Sequence, residues 1–130
     1  MDFKRLRRRS PLVGRPIKIM VVDDDADWRD FLRICLEDLG YPLIEAASGP
    51  EALARLAEEP CDVMLLDLHM PGMSGADLLG LLPEGGPRVV LLTSAPIQEV
   101  KGALGSGPHY YLPKGARREA ISLILESLAG

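Results

Sequence analysis

The segment IKIMVVDDDADW, Ile17 to Trp28, passes from apolar residues into four aspartates within five positions: Asp23, Asp24, Asp25 and Asp27. Two unit charges about 4 Å apart repel by roughly 4 kcal/mol at an effective dielectric of 20. A fold that gathers them needs a counter-charge. Three further polar residues stand where apolar runs end: Asp67 after DVMLL, Thr93 after RVVLL and Lys114 after HYYLP. Carboxylates converging from two segments form a hard, oxygen-rich site that suits Mg²⁺, with Mn²⁺ as the second choice. A dication neutralises the repulsion, and Lys114 adds one more positive charge. A carboxylate, a metal, a lysine and a hydroxyl are the set that phosphoryl transfer uses, because its demands are in-line positioning and stabilisation of charge on the equatorial oxygens. In that chemistry Asp67 becomes an aspartyl phosphate, with Thr93 donating to one phosphoryl oxygen and Lys114 pairing with another.

These residues need a scaffold that brings four segments to one edge, and the sequence has one. IKIMVV, PLIEA, DVMLLD, RVVLLTS and HYYLP read as short strands. They alternate with helical patterns in ADWRDFLRICLEDLG, GPEALARLAEE, GADLLGLL, PIQEVKGAL and ARREAISLILESLA. Five such units predict an α/β fold, a five-stranded parallel sheet with helices on both faces. The strands are unbroken apolar runs, as sheets buried on both faces require. Ligands of such sheets bind outside the carboxyl ends of the strands, where these polar residues fall. In the first helix Trp28, Phe31, Leu32, Cys35, Leu36 and Leu39 share one face, and Ile34 and, in the last helix, Leu123 fall opposite the apolar faces. Ser48 and Glu51 form a capping-box pattern ahead of the second helix.

At 130 residues and 47% apolar composition the chain fits one domain with a real core. Its net charge of −4 is uneven: residues 1–16 carry +5, which leaves −9 for the rest. An acidic body does not suggest a nucleic-acid-binding core. Residues 1–16 are expected to form a basic, flexible tail, and residues 17–130 the folded domain. Docking of the tail on nucleic acid or a membrane surface is the alternative to a solvated extension. Cys35 and Cys61 lack metal-like spacing and read as reduced thiols of a cytoplasmic protein. No apolar run reaches the length of a signal peptide core or a membrane span.

Taken together, VVDDD, LLDLHMPGMSG, LLTS and YYLPKG resemble the motifs of response-regulator receiver domains, the phosphorylated half of two-component systems. The resemblance covers about Ile17 to Leu128. It implies a flavodoxin-like (βα)5 fold with strand order 2-1-3-4-5, and a signalling switch rather than an enzyme, with slow self-dephosphorylation at most. It implies that Asp67 accepts the phosphoryl group from a histidine kinase, a histidine phosphotransfer protein or a small acyl phosphate. Asp24 would ligate Mg²⁺ directly, Asp23 through water, and Asp67 and the backbone carbonyl of His69 would complete the protein ligands. Thr93 and Tyr111 would be the switch pair, changing the surface of the fourth helix, fifth strand and fifth helix toward a partner, an output or a second copy. Pro71, Gly72 and Gly75 would shape the loop before the third helix.

The sequence departs from the family at several points. Gly115 follows Lys114 where many relatives have proline. The span from Asp67 to Thr93 is short, which predicts a clipped third helix or following loop. Gly102, Gly105 and Gly107 weaken the fourth helix. Asp25 and Asp27 read as charges at a helix N-terminus, the His69 side chain as one that tunes water access, and Tyr110 as ordinary strand packing. Trp28 either caps the core or anchors a kinase. Two rival functions stand beside the switch: an interaction module that is never phosphorylated, and a phosphatase whose nucleophile is Asp23 or Asp25.

Overall fold

The computed structural model describes residues 17–105 and 110–129. The expected tail over 1–16, together with Gly107 and His109, lies outside them. Strands β1 (Ile19–Val22), β2 (Leu43–Ala46), β3 (Val63–Leu66), β4 (Arg88–Thr93) and β5 (Tyr110–Pro113) alternate with helices α1 (Ala26–Asp38), α2 (Gly49–Glu58), α3 (Gly75–Leu81), α4 (Ile97–Leu104) and α5 (Arg118–Ala129). All strand pairs are parallel, in the order β2-β1-β3-β4-β5. The predicted α/β fold and its strand order are those observed.

Alternation along the central strands divides the core. Met20, Val22, Met64, Leu66, Val89 and Leu91 face Ala52 of α2, Leu78 of α3 and Val100 and Ala103 of α4. Ile19, Val21, Val63, Leu65, Val90 and Leu92 face Leu32 and Leu36 of α1 and Ile121 and Leu125 of α5. Burial of both faces explains why the strands show no polar alternation. Each fully buried aliphatic side chain contributes about 1.5–3 kcal/mol relative to exposure.

Helix ends follow their sequence signals, with one variation. Ser48 accepts from Glu51 N at 3.2 Å, but the Glu51 carboxylate reaches one residue further back and accepts from Ala47 N at 3.1 Å. The reciprocal box stands instead at α3, where Ser74 and Asp77 cap each other. Helix α3 has only seven residues, as the short span from Asp67 to Thr93 predicts. Two side chains differ from expectation. Phe31 is 44% exposed, because it lies at the margin of the α1 apolar arc and stacks on Trp28 instead. Tyr110 is 38% exposed on an edge strand, with its hydroxyl 3.4 Å from Ser127 Oγ on α5. Ile34 and Leu123 are exposed, as their positions predict.

Candidate phosphoacceptor and metal site

The parallel ladder runs one residue past the strands and sets the site. Asp23 N donates to Ala46 O at 3.1 Å, Asp67 N to Val22 O at 3.0 Å, and Lys114 N to Thr93 O at 3.1 Å. Backbone pairing thus aims Asp23, Asp67, Thr93 and Lys114 at one edge. Asp67 is 5% exposed and its two oxygens are differently engaged. Oδ1 accepts from Thr93 Oγ1 at 2.7 Å and from His69 N at 3.3 Å, whereas Oδ2 accepts from Lys114 Nζ at 3.2 Å. Thr93 is wholly buried, and its hydroxyl oxygen also accepts from Ala95 N at 3.1 Å.

The aspartate run divides its labour. Asp23 is buried; its Oδ1 accepts from Asp25 N at 2.9 Å and its Oδ2 lies 2.8 Å from Lys114 Nζ. Beyond that ion pair, Oδ2 has no hydrogen-bond partner among the described residues. Asp24 is exposed. Asp25 is the N-cap of α1, accepting from Asp27 N at 3.0 Å and Trp28 N at 3.1 Å, and Asp27 occupies the first turn. The N-terminal reading of Asp25 and Asp27 therefore holds.

Burial raises the Asp23 carboxyl above its ordinary range, and the Asp67 charge adds to this; Lys114 and the Asp25 N–H oppose them without cancelling them. For Lys114 burial works against the charge, but Asp23 and Asp67 outweigh it and its pKa is raised. The ammonium is the positive group that lets two buried acids coexist.

Asp23, Asp24 and Asp67 each place one carboxylate oxygen within 4.8 Å of the others. Hard oxygen donors, an under-partnered buried Asp23 Oδ2 and an exposed Asp24 that leaves one side open to water fit an ion that retains several waters. Together the three carboxylates form a group that could hold a metal ion.

The backbone N–H of His69 joins this cluster through Asp67, but its side chain points elsewhere. Its imidazole is 58% exposed and pairs through Nε2 with Glu99 of α4. Tyr111 is half-buried against the cluster that includes Leu91 and Val100. Two neighbours of the site carried no signal in the sequence. Arg29 Nη1 donates to Asp23 O at 2.6 Å while its Nε reaches Glu45 at 3.3 Å, so α1 grips the acidic loop. Helix periodicity marks Arg29 only as off the apolar face. Glu99 likewise looks like one more surface acid.

Gly75 fixes the loop after β3 from behind. A Cβ there would lie 2.3 Å from Asp67 O and 2.8 Å from Leu68 Cα, so α3 begins against the backbone of Asp67 only because residue 75 is glycine.

The fold is thus a parallel sheet that gathers acids, a threonine and a lysine at its carboxyl edge. The sequence profile of the response regulator receiver domain matches residues 19–126, and the chain belongs to that family. An uncharacterized 14.6 kDa protein of Leptolyngbya boryana is 41% identical over 101 residues, covering 74% of this chain and 77% of that one. The transcriptional regulatory protein KdpE of Mycobacterium tuberculosis is 39% identical over 98 residues, covering 74% of this chain and 43% of its own length. The chain spans about half the length of the KdpE, ResD and MprA regulators it matches. Among solved structures, the response regulator TrrA of Thermotoga maritima, in complex with Mg²⁺-BeF, superposes with a TM-score of 0.78 at 26% identity, covering 86% of this chain and 98% of TrrA. Receiver domains are signalling domains, and among the described residues no helix is long and apolar enough to cross a membrane.

Proposed function

We propose that the chain is a phosphorylation-dependent signalling switch in which Asp67 is the acceptor. The observation that carries this reading is the convergence on one buried carboxylate of a hydroxyl at 2.7 Å and an ammonium at 3.2 Å, beside a second acid and a third. An Asp67 carboxylate oxygen attacks phosphorus in line. The new O–P bond replaces the P–N bond of a phosphohistidine, on a kinase or phosphotransfer protein, or the P–O bond of an acyl phosphate. The electron pair leaves with the donor's nitrogen or oxygen. Lys114 then pairs with one phosphoryl oxygen and Thr93 donates to another.

Asp23, Asp24, Asp67 and the His69 carbonyl are the proposed holders of Mg²⁺, with Mn²⁺ as substitute. When bound, the ion supplies charge neutralisation between the acids and the incoming phosphoryl oxygens. TrrA was crystallised with Mg²⁺-BeF, which supports carrying the metal over. Thr93 is bonded to Asp67 here, and engaging a phosphoryl group redirects that hydroxyl. Tyr111 then turns further in, and the surface of α4, β5 and α5 changes for an effector or second copy. The proposed setting for these events is the cytoplasm.

The phosphatase reading is disfavoured by what Asp23 and Asp25 are doing. Asp25 caps α1, and Asp23 is 2% exposed and held by Lys114 and Asp25 N. The unphosphorylated-module reading predicts a degraded acceptor set, whereas this one is complete. Acetyl phosphate with Mg²⁺ is the test, read by intact mass. One phosphoryl group is expected, absent in Asp67→Ala and greatly slowed in Asp24→Ala. Equal labelling of Asp67→Ala would reject the proposal.

A further inference from the structure

The Lys114 ammonium has a third neighbour besides its two acids. Its Nζ lies 5.7 Å from the centroid of the Trp28 ring, within the range of a cation–π contact. The lysine side chain is only 19% exposed, so the contact is partly shielded from water.

The ring is also held from its own side. Its backbone N–H is bonded to the Asp25 cap at 3.1 Å, its indole stacks on Phe31 at 5.3 Å with 29° between planes, and it packs against the cluster that includes Leu32. Cap, stack and core fix the ring; Lys114 then rests near its face. A leucine could supply apolar contact to the core but neither the stack on Phe31 nor a π face. Only an aromatic ring offers a negative face to an ammonium.

We infer that Trp28 is a positioning residue for Lys114, holding the ammonium at the acceptor edge and keeping water from it so that it is in place to pair with an arriving phosphoryl group. The inference rests on Asp67 being the phosphoacceptor. It builds on one of the two readings of Trp28, in which the residue caps the core, and from that position it serves the site. A phosphoryl group competes for the ammonium, so the indole also senses the acceptor's state. Trp28 is the sole tryptophan of the chain, which makes its emission an unambiguous report.

The test has two arms. In the first, the tryptophan emission of the native protein is compared with that of Lys114→Met without any phosphodonor. A shifted maximum or changed yield is expected; superimposable spectra overturn the contact. In the second, labelling by acetyl phosphate and Mg²⁺ is timed by intact mass for native protein, Trp28→Leu and Trp28→Phe. Leucine is expected to slow labelling roughly two- to fivefold and phenylalanine to restore most of the rate. Leucine as fast as native, or phenylalanine as slow as leucine, overturns the positioning role. Native protein that takes no phosphoryl group at all rejects the acceptor reading and the role in capture with it, while the emission arm still decides the contact.

Discussion

Thr93 and Asp67 are joined by a buried 2.7 Å hydrogen bond between the ends of adjacent strands β4 and β3. Thr93 is wholly buried and Asp67 5% exposed, so the bond is shielded from solvent. A hydrogen bond to a charged group contributes about 1.5–3 kcal/mol. Thr93→Val keeps the volume and deletes the donor, and it also strips Ala95 N of its acceptor. The urea midpoint of the unphosphorylated protein is therefore expected to fall by an amount worth about 1.5–3 kcal/mol. Thr93→Ser is expected to recover most of this.

Asp23 is expected to weaken the fold it serves. Its folded pKa is raised above 3.8 even with Lys114 beside it, so the folded protein holds this proton more tightly than the unfolded chain. Stability from this group is greatest below 3.8 and declines as pH rises through the folded value. Asp23→Asn cannot ionise, yet keeps an acceptor for Asp25 N. In divalent-free buffer at neutral pH it is expected to unfold at higher urea than native protein, with the gap closing in acid. Added Mg²⁺ is expected to stabilise native protein more than the variant. A variant less stable than native at neutral pH would contradict this account of the charge.

Two glycines are expected to respond oppositely to alanine. At Gly75 the new Cβ meets Asp67 O at 2.3 Å, so α3 must move off the acceptor loop. A loss of about 1–3 kcal/mol, with impaired labelling, is expected. At Gly102, inside α4, nothing lies within 4 Å of the new atom. Gly102→Ala is expected to gain about 0.5–1 kcal/mol from helix propensity. Thermal melts of the pair check both.

The Cys61 thiol is pushed up to about 12, by burial first and the Asp62 charge second, and Cys35 is buried. The thiolate is the reactive form. Maleimide is expected to modify native protein slowly at neutral pH and denatured protein rapidly. Prompt native labelling at Cys61 would contradict that placement.

The sheet and the meeting of Asp23, Asp67, Thr93 and Lys114 at one edge were legible because each rests on a local signal. Apolar runs without alternation announce buried strands, and polar residues at their ends announce the edge. In the sequence Gly115 stands out only as a missing proline; its φ of +93° shows why glycine suits a turn directly after Lys114. Residues that join elements were not legible. The grip of Arg29 on the Asp23 carbonyl depends on how α1 sits over β2, and the pairing of His69 with Glu99 depends on where α4 falls. Phe31 and Tyr110 differ from expectation for a related reason: a side chain at the margin of a helix face or on an edge strand is covered only as far as a neighbour reaches it, and Trp28 and Ser127 leave each partly exposed.

The most direct measurement is to locate the modified residue. Protein treated with acetyl phosphate and Mg²⁺ is reduced with borohydride, which converts an aspartyl phosphate to a stable alcohol, and its peptides are sequenced by mass spectrometry. The account predicts a single reduced residue, Asp67. Modification of Asp23, Asp24 or Asp25 instead, with Asp67 intact, would contradict it.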